Sequence, residues 1–331
     1  MATTDFEVNP APNDGVSGLA FSSQADILAC SSWDNQIRIY QVQANGQTVP
    51  QAAYSHQGPA LDVAWSKDGT KVVSCGADKA GRMYDVATGQ STQVAAHDDT
   101  IRSIRFLEQQ PHVMVTGGWD KSLKYWDTRA PSSTPISTAS LPERLYSMDT
   151  RQNLLVAATA NRHVLVFDLN NPTVPYKQSF SPLRWQTRTV SCFTDGSGYA
   201  LGSIEGRVAI QYIQDADKDR GFLFKSNREE GSNTIHSCNQ VSFHPTNPAT
   251  FTTCGSDGVV VFWNRELKRR NNALPKVNGT ISNTCFNGTG TIFAYAVSYD
   301  WHQGAKLHNP NTPPRILLHP VSTNDLTPQP K

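Results

Sequence analysis

The amino-acid sequence predicts an all-β protein, a seven-bladed β-propeller in which each blade is a four-stranded sheet. The first observation is a spacing, because a polar turn residue repeatedly precedes a strand position, usually an aromatic, by six residues. Asp120 and Trp126 in GGWDKSLKYWDTR are the clearest example. The second is composition, since only 17% of the residues are charged and Gly, Pro, Ser and Thr are frequent. Such a composition suits short strands joined by turns.

The six-residue spacing recurs along the chain with a regular period. The pairs are Asp34–Tyr40, Asp78–Tyr84, Asp120–Trp126, Asn161–Phe167, Glu205–Gln211 and Asp257–Trp263. Successive strand positions lie 44, 42, 41, 44 and 52 residues apart, and an insertion at 214–233 accounts for the longest interval. A period of about 40 to 45 residues is that of WD repeats, each of which forms one blade. The sequence therefore predicts blades that begin near residues 16, 60, 101, 145, 188, 238 and 280.

A seventh blade is implied near the C-terminus, where ISNTCFN, TIFAYAVSYD and RILLHPV provide three strands. The segment that follows, STNDLTPQPK, is too polar and Pro-rich to be a fourth strand. The run DFEV at residues 5–8 is β-prone and can supply it. A blade shared by both ends of the chain closes the ring and leaves only short edges. Residues 1–331 are therefore predicted to form a single WD40 propeller domain.

The third repeat contains the residues of a structural WD tetrad. His97 precedes its first strand, Thr116 lies on the second, Asp120 in the turn and Trp126 on the third. We expect a chain of hydrogen bonds among them, since a buried polar group left unpaired costs about 1–3 kcal/mol. The two acidic residues after His97 suggest an acid–base cluster, but the tetrad and a solvated loop account for all of these residues.

Bulk composition argues against several classes of function. Lys and Arg number 29 against 28 Asp and Glu, so no global charge drives binding to nucleic acid or to a membrane. No apolar run approaches the roughly 18 residues that span a bilayer, so we expect no membrane insertion. The N-terminus lacks the basic and then apolar pattern of a signal peptide. The six cysteines form no CxxC motif and are expected to be reduced and mostly buried.

Signatures of catalysis are absent from the sequence. It contains no P-loop, GxSxG or HExxH motif and no paired Cys/His ligands. His302, His308 and His319 are close in sequence but straddle a long loop, which argues against a metal site. We therefore expect no enzymatic activity, no catalytic residue, no cofactor and no metal.

Several motifs are more specific than the WD turns. They are SSWDNQIRIY, GADK, WDKSLKYWDTR, LPERLYSMD, SPLRWQTR, ALGSIEGRVAIQYI and FNGTGTIFAYAVSYDWHQG. Their combination, over nearly the whole chain, resembles the Rae/Gle family of WD-repeat mRNA export factors of the nuclear pore. The Bub-type mitotic checkpoint propeller has a similar EGRVA stretch and stays open as an alternative, which would bind GLEBS-like motifs of checkpoint kinases. The SYDW…NP ending favours the export factor.

The resemblance implies a non-enzymatic scaffold. Members of the family dock to the GLEBS segment, an acidic and apolar hairpin-like peptide of an FG-repeat nucleoporin, and associate with messenger ribonucleoprotein. The resemblance also implies a location in the nucleus and at the nuclear envelope, within the nuclear pore complex, as well as in the cytoplasm. A role at the mitotic spindle is a further implication.

The candidate partner-binding surface is one rim of the ring. If the strands of each blade are lettered A to D in chain order, the B–C turns and D–A loops all open on this rim. Basic residues gather there: Lys79, Lys121, Arg144, Arg162, Arg184, Arg188 and Arg207. Arginine pairs with carboxylates through two hydrogen bonds, so an acidic partner segment fits. The predicted partner-binding residues are Trp33, Arg144, Arg188, Arg207, Arg228 and Trp301.

The resemblance assigns Trp33, Arg188, Arg207 and Arg228 to contacts with the GLEBS segment. Trp185 is expected either to contact the partner or to pack inside its blade. The same rim could also bind single-stranded RNA weakly, through phosphate contacts and base stacking on exposed tryptophans such as Trp33 and Trp301. Such a contact would be sensitive to salt.

Overall fold

The protein is a closed ring of seven sheets. The computed structural model describes residues 5–129, 134–228, 231, 233–309 and 311–328. They form 28 strands in seven four-stranded sheets, in which paired strands are antiparallel. The innermost strand of the last sheet packs against that of the first. The predicted seven-bladed propeller is confirmed.

The first three blades follow one another in chain order. Blade 1 comprises β2 (Val16–Phe21), β3 (Ile27–Ser32), β4 (Gln36–Val42) and β5 (Thr48–Ser55). Blade 2 comprises β6 (Ala60–Trp65), β7 (Lys71–Gly76), β8 (Ala80–Asp85) and β9 (Ser91–Ala96). Blade 3 comprises β10 (Ile101–Phe106), β11 (Val113–Gly118), β12 (Ser122–Asp127) and β13 (Ser137–Ser140).

The remaining blades repeat the pattern. Blade 4 comprises β14 (Leu145–Arg151), β15 (Leu154–Thr159), β16 (His163–Asp168) and β17 (Pro175–Phe180). Blade 5 comprises β18 (Thr187–Cys192), β19 (Gly198–Ser203), β20 (Arg207–Tyr212) and β21 (Phe222–Lys225). Blade 6 comprises β22 (Cys238–Phe243), β23 (Thr250–Gly255), β24 (Val260–Asn264) and β25 (Arg269–Ala273). Blade 7 comprises β26 (Ile281–Phe286), β27 (Ile292–Val297), β28 (Arg315–Pro320) and β1 (Phe6–Glu7).

The core lies between adjacent blades rather than inside any one of them. Strands β11 and β15 are buried at every residue, because each second strand is covered on both faces by neighbouring blades. Leu123 and Tyr125 of blade 3, for example, pack in one cluster with Leu145 and Met148 of blade 4. Burying a large apolar side chain contributes about 1.5–3 kcal/mol, so a blade is stabilised mainly by its neighbours.

The N-terminal strand completes blade 7, as predicted. Phe6 pairs with Leu318 and Glu7 with Leu317 on the outer side of β28, and Val8 beyond them is fully buried. One β-sheet thus contains both the first and the last of the described strands, so the ring cannot open without breaking this pairing.

Two segments differ from the sequence-based expectation. The stretch at 214–233 is only partly an insertion, because its residues Phe222–Lys225 form the fourth strand of blade 5 after a 3-10 helix at Asp215–Arg220. The described part of the polar C-terminal segment, residues 322–328, contains no strand, as expected, but it includes a short helix, α1 (Thr323–Leu326). Ser322 and Asp325 form a capping box at its start.

Candidate functional site: one rim of the propeller

The tetrad residues of blade 3 are joined by short hydrogen bonds. His97 bonds through Nδ1 to Asp120 at 2.9 Å and through Nε2 to Thr116 Oγ1 at 2.7 Å. Trp126 Nε1 donates to the same hydroxyl at 2.8 Å. Burial acts to raise the pKa of Asp120, but hydrogen bonds from His97 and Ser122 outweigh it and lower that pKa. The carboxylate is therefore a fixed, ionised anchor that ties the D–A loop to the B–C turn.

Blade 2 has an equivalent network that the sequence analysis missed. His56 bonds to Asp78 at 3.0 Å and to Ser74 Oγ at 2.8 Å, and Tyr54 donates to the same serine at 2.9 Å. The signal was present, since His56 and Asp78 are 22 residues apart where the blade 3 pair is 23 apart. The rest of the network is harder to predict, because Ser74 replaces the threonine of blade 3 and the second hydrogen bond comes from Tyr54 on β5 of the preceding blade.

Blade 6 uses a variant in which asparagine takes the place of histidine. Asn227 Nδ2 donates to Asp257 at 3.0 Å, and Trp263 Nε1 donates to Thr253 Oγ1 at 2.9 Å. Burial raises the pKa of Asp257, and its hydrogen bond from Asn227 offsets that effect only in part. These networks bond the D–A loops to the B–C turns in blades 2, 3 and 6. The predicted site residues lie on the rim that these turns and loops form.

Exposed tryptophans are the most unusual feature of the rim. Trp33 is 49% exposed, Trp119 37%, Trp185 63% and Trp301 47%. The exposure of Trp185 excludes the interpretation that it packs inside its blade. Large aromatic side chains are common anchors of protein interfaces, where burial yields much of the binding energy. Trp119 is not among the predicted residues, because the repeat alone accounts for the WD dipeptide of blade 3.

Trp301 is held in place by its neighbours despite a strained backbone. Its φ of 59° lies in the left-handed region, which is costly for a bulky residue. Asp300, just before it, is buried and accepts hydrogen bonds from Ser256 Oγ at 2.5 Å and Asn239 Nδ2 at 2.8 Å. The indole stacks on His308 with ring centroids 4.9 Å apart. Backbone strain of this kind is concentrated at functional sites.

The predicted arginines divide into two groups. Arg144 lies over the ring of Trp119, with its Cζ 5.9 Å from the ring centroid, and so belongs to blades 3 and 4. Arg188, Arg207 and Arg228 come from blade 5 and the loop that follows it. The structure therefore places the six predicted residues around the ring, with three of the arginines in blade 5 and the loop after it.

Glu205 contacts two of these three arginines. Arg207 Nε lies 3.6 Å from its carboxylate, and Arg228 donates to its backbone carbonyl at 3.1 Å. The Arg184 backbone N–H donates to the carboxylate at 2.9 Å. Two of the three arginines are thus partly engaged within the chain. Arg188 makes no hydrogen bond or ion pair with the residues that the structure describes.

His302, His308 and His319, the histidines considered for a metal site, each have a different structural contact. His302 bonds to Asp300 at 2.5 Å, His308 stacks on Trp301, and His319 bonds to Asp5 and Asp325 where the chain ends meet. Within the described ranges, no group of three or more His, Cys, Asp or Glu side chains is arranged to hold a metal ion. None of the helices in that part of the chain has the length and apolar character needed to span a bilayer.

A closed ring of four-stranded blades with WD turns and buried His–Asp pairs defines a WD-repeat propeller. The family model described as WD domain, G-beta repeat matches residues 229–264, and that of the anaphase-promoting complex subunit 4 WD40 domain matches residues 19–109. These matches agree with the fold, and each covers less than half of the chain.

Relatives that are similar over nearly the whole chain identify its family. The chain is 50% identical to the Poly(A)+ RNA export protein of Schizosaccharomyces pombe, with 99% of this chain and 93% of that protein covered. It is 47% identical to mRNA export factor GLE2 of Chaetomium thermophilum, covering 98% and 93%. It is 41% identical to protein Rae1 of Drosophila melanogaster, covering 95% and 93%. The chain belongs to the Rae/Gle family of WD-repeat mRNA export factors.

Proposed function

We propose that this protein is a non-enzymatic scaffold of nuclear mRNA export that docks the GLEBS segment of an FG-repeat nucleoporin on the described rim. The observation that carries the proposal is the concentration of exposed tryptophans and arginines on one face of a nearly neutral chain. Two relatives that are 50% and 47% identical bear names of export proteins, which supports export over a checkpoint role. The proposed location is the nucleus and the nuclear envelope, with a cytoplasmic fraction.

The chemistry of the rim suits an acidic and apolar segment. Trp33, Trp185 and Trp301 can each bury a large apolar area against a partner, and interface tryptophans commonly contribute about 2 kcal/mol or more. A free guanidinium can take a carboxylate through two parallel hydrogen bonds. Arg188 has no partner among the described residues, whereas Arg207 is shared with Glu205. We therefore expect Arg188 to contribute more binding free energy than Arg207.

Capture of a GLEBS peptide by the purified chain tests the proposal. Arg188→Glu is expected to weaken binding at least about tenfold, because it places a carboxylate opposite the acidic segment. Arg207→Glu should have a smaller effect. Arg129→Glu is the matched control, because Arg129 is exposed and pairs with Asp127 in a C–D turn on the opposite face. Capture that survives both rim substitutions would show that the rim is not the docking surface.

Two further activities belong to the same proposal. The exposed indoles can stack single-stranded RNA bases, and a contact of this kind contributes about 1–3 kcal/mol per base. We expect the RNA contact to be weak and to fall steeply with salt, since the chain has a net charge of only +1. A spindle role follows from the family resemblance. Fluorescence imaging separates export from checkpoint function, because staining confined to kinetochores would contradict the export role.

A further inference from the structure

The inner strands of all seven blades share a β-bulge at the same position. The pairing between the first and second strands skips one residue directly after the first residue of the inner strand. The bulged residues are Ser17, Leu61, Arg102, Tyr146, Arg188, Asn239 and Ser282. Bulges of this type redirect a side chain out of the ladder. They lie at the rim end of the strands that line the central channel, so they form a ring around its mouth.

Four of these side chains join one blade to the next. Ser282 Oγ donates to the Val16 carbonyl at 2.8 Å, and Ser17 Oγ to the Ala60 carbonyl at 2.6 Å. Asn239 Nδ2 donates to the Ile281 carbonyl at 3.0 Å. Arg102 Nη1 donates to the Leu61 carbonyl at 3.3 Å. The ring is thus bonded through blades 6, 7, 1, 2 and 3.

The bonded ring is interrupted at blades 4 and 5. Neither the Tyr146 hydroxyl nor the Arg188 guanidinium bonds to any residue that the structure describes. Burial among protein atoms at the mouth lowers the pKa of Arg188, and the like charge of Arg102 lowers it further. Arg188 is nevertheless exposed to solvent. The bulges therefore place two guanidinium groups at the same end of the channel, where the charge of Arg102 acts on Arg188.

The acidic groups near the opening are already engaged. Asp300 is the carboxylate that acts on Arg188, but it accepts hydrogen bonds from Ser256, Asn239 and His302 and makes none with the arginine. Farther down the channel, Asp62 and Asp149 are both paired with Arg105. Neither Arg102 nor Arg188 forms an ion pair with a residue that the structure describes, although the charge of Asp300 acts on Arg188.

We propose that the channel mouth, between Arg102 and Arg188, binds a phosphomonoester dianion. A carboxylate or a phosphodiester has one negative charge and would neutralise only one guanidinium. A phosphomonoester has a charge of about −1.5 to −2 at neutral pH and three acceptor oxygens, which matches two guanidinium forks. A channel lined by protein focuses the field of the two arginines on its opening. The dianion is either free phosphate or the phosphate of a phosphorylated side chain.

The site goes beyond the proposed docking of a nucleoporin segment. Arg188 belongs to both surfaces, but Arg102 belongs only to the channel mouth. Trp33 and Arg207 belong only to the rim. An Arg102 variant that loses phosphate and still captures the GLEBS peptide separates the two functions, and either of them can fail alone.

Isothermal titration with potassium phosphate in a chloride buffer at pH 7.5 tests the site. We expect saturable binding in the wild type and a loss of at least about tenfold in Arg102→Gln and in Arg188→Gln. Arg184→Gln is the matched control, because Arg184 is exposed, lies in the D–A loop before β18 and is not one of the bulged residues. Thermal melts of the variants establish that each is folded. Equal phosphate affinity in all three variants, or no saturable binding, would overturn the proposal.

Short peptides identify the source of the dianion. A phosphoserine peptide that binds more tightly than inorganic phosphate assigns the site to a phosphorylated polypeptide, and equal affinity assigns it to the free anion. Affinity for the phosphopeptide should rise as the pH passes through about 6, where the second proton leaves. A glutamate peptide of the same sequence that binds equally well would refute the requirement for a dianion. Tighter binding of an RNA oligonucleotide with a 5′-phosphate, through the same arginines, would refute a polypeptide source.

Discussion

The closure of the ring depends on a histidine between two carboxylates. His319 on β28 bonds through Nδ1 to Asp5 at 2.8 Å, and through Nε2 to Asp325 of α1 at 3.2 Å. Tyr295 also donates to Asp5, and Asn272 donates to Asp325 at 2.7 Å. The N-terminal strand, the last strand of the chain and the C-terminal helix therefore meet at one buried imidazole. We predict that replacing it with a neutral side chain, His319→Gln, destabilises the protein in a pH-dependent manner.

The magnitude follows from the pKa of His319. Burial acts to lower that pKa, but hydrogen bonds and charge from Asp325 and Asp5 outweigh it and raise it from 6.5 to about 9. A difference of about 2.5 units corresponds to roughly 3 kcal/mol. Asp325 reports the same interaction from the other side, with its pKa lowered from 3.8 to about 2, so the two contributions are not added.

The sign of the pH dependence is determined by the direction of the shift. Because the folded pKa of His319 is raised, its stabilisation is fully present below about pH 6.5 and is lost as the pH rises through about 9. Because the folded pKa of Asp325 is lowered, its stabilisation is present above about pH 4 and is lost as the pH falls toward 2. The closure is therefore strongest between about pH 4 and 6.5.

Thermal unfolding followed by tryptophan fluorescence at pH 6 and pH 9.5 provides the assay. An unfolding entropy of about 2.1 cal/mol/K per residue, over 331 residues, converts 3 kcal/mol into a fall in Tm of about 4 °C. We expect that difference between wild type and His319→Gln at pH 6 and a much smaller one at pH 9.5. His112→Gln is the control, because the His112 side chain makes no ion pair with a described residue. An equal fall at both pH values would refute the electrostatic account.

Three further outcomes follow from buried contacts. Thr116→Val removes the hydroxyl shared by His97 and Trp126 and should lower the free energy of unfolding by about 2–5 kcal/mol. Thr116→Ser keeps a hydroxyl and should retain most of the stability. Denaturant unfolding measures both variants. Gly255→Ala would place its Cβ 2.0 Å from the Ser237 carbonyl oxygen, so we expect a lower Tm by calorimetry, while Gly15→Ala, whose nearest neighbour is at 3.7 Å, should be neutral. Burial raises the pKa of the Cys238 thiol to about 12, and it also raises the pKa of the other five thiols. A thiol reagent at pH 8 should therefore react with the folded chain far more slowly than with the denatured chain. Equal rates would contradict this packing.

Repeats made the fold predictable from sequence, whereas the site was predictable only in part. The six-residue spacing from turn to strand marks each B–C hairpin, and local hairpins are encoded by nearby residues. His97 and Asp120 could be paired in advance because the repeat places them at known positions. The exposure of Trp119 and the role of Glu205 could not, because each depends on loops from two blades. The capping helix at Thr323–Leu326 is too short for a sequence periodicity to reveal.

The sequence by itself determined the number of blades, the closure by residues 5–8 and the alternation of strands and turns. These features depend on spacings within about 45 residues and on a hydrophobic pattern that recurs in each repeat. Only the tertiary structure decided which charges remain without a partner. Arg188 and Arg207 look alike in sequence, but Arg207 lies beside Glu205, whereas Arg188 makes no ion pair with a described residue and is affected by the charge of Arg102. The difference is physical, because the net effect of a charge depends on the neighbours that folding brings within a few ångströms, and these come from blades far apart in the chain.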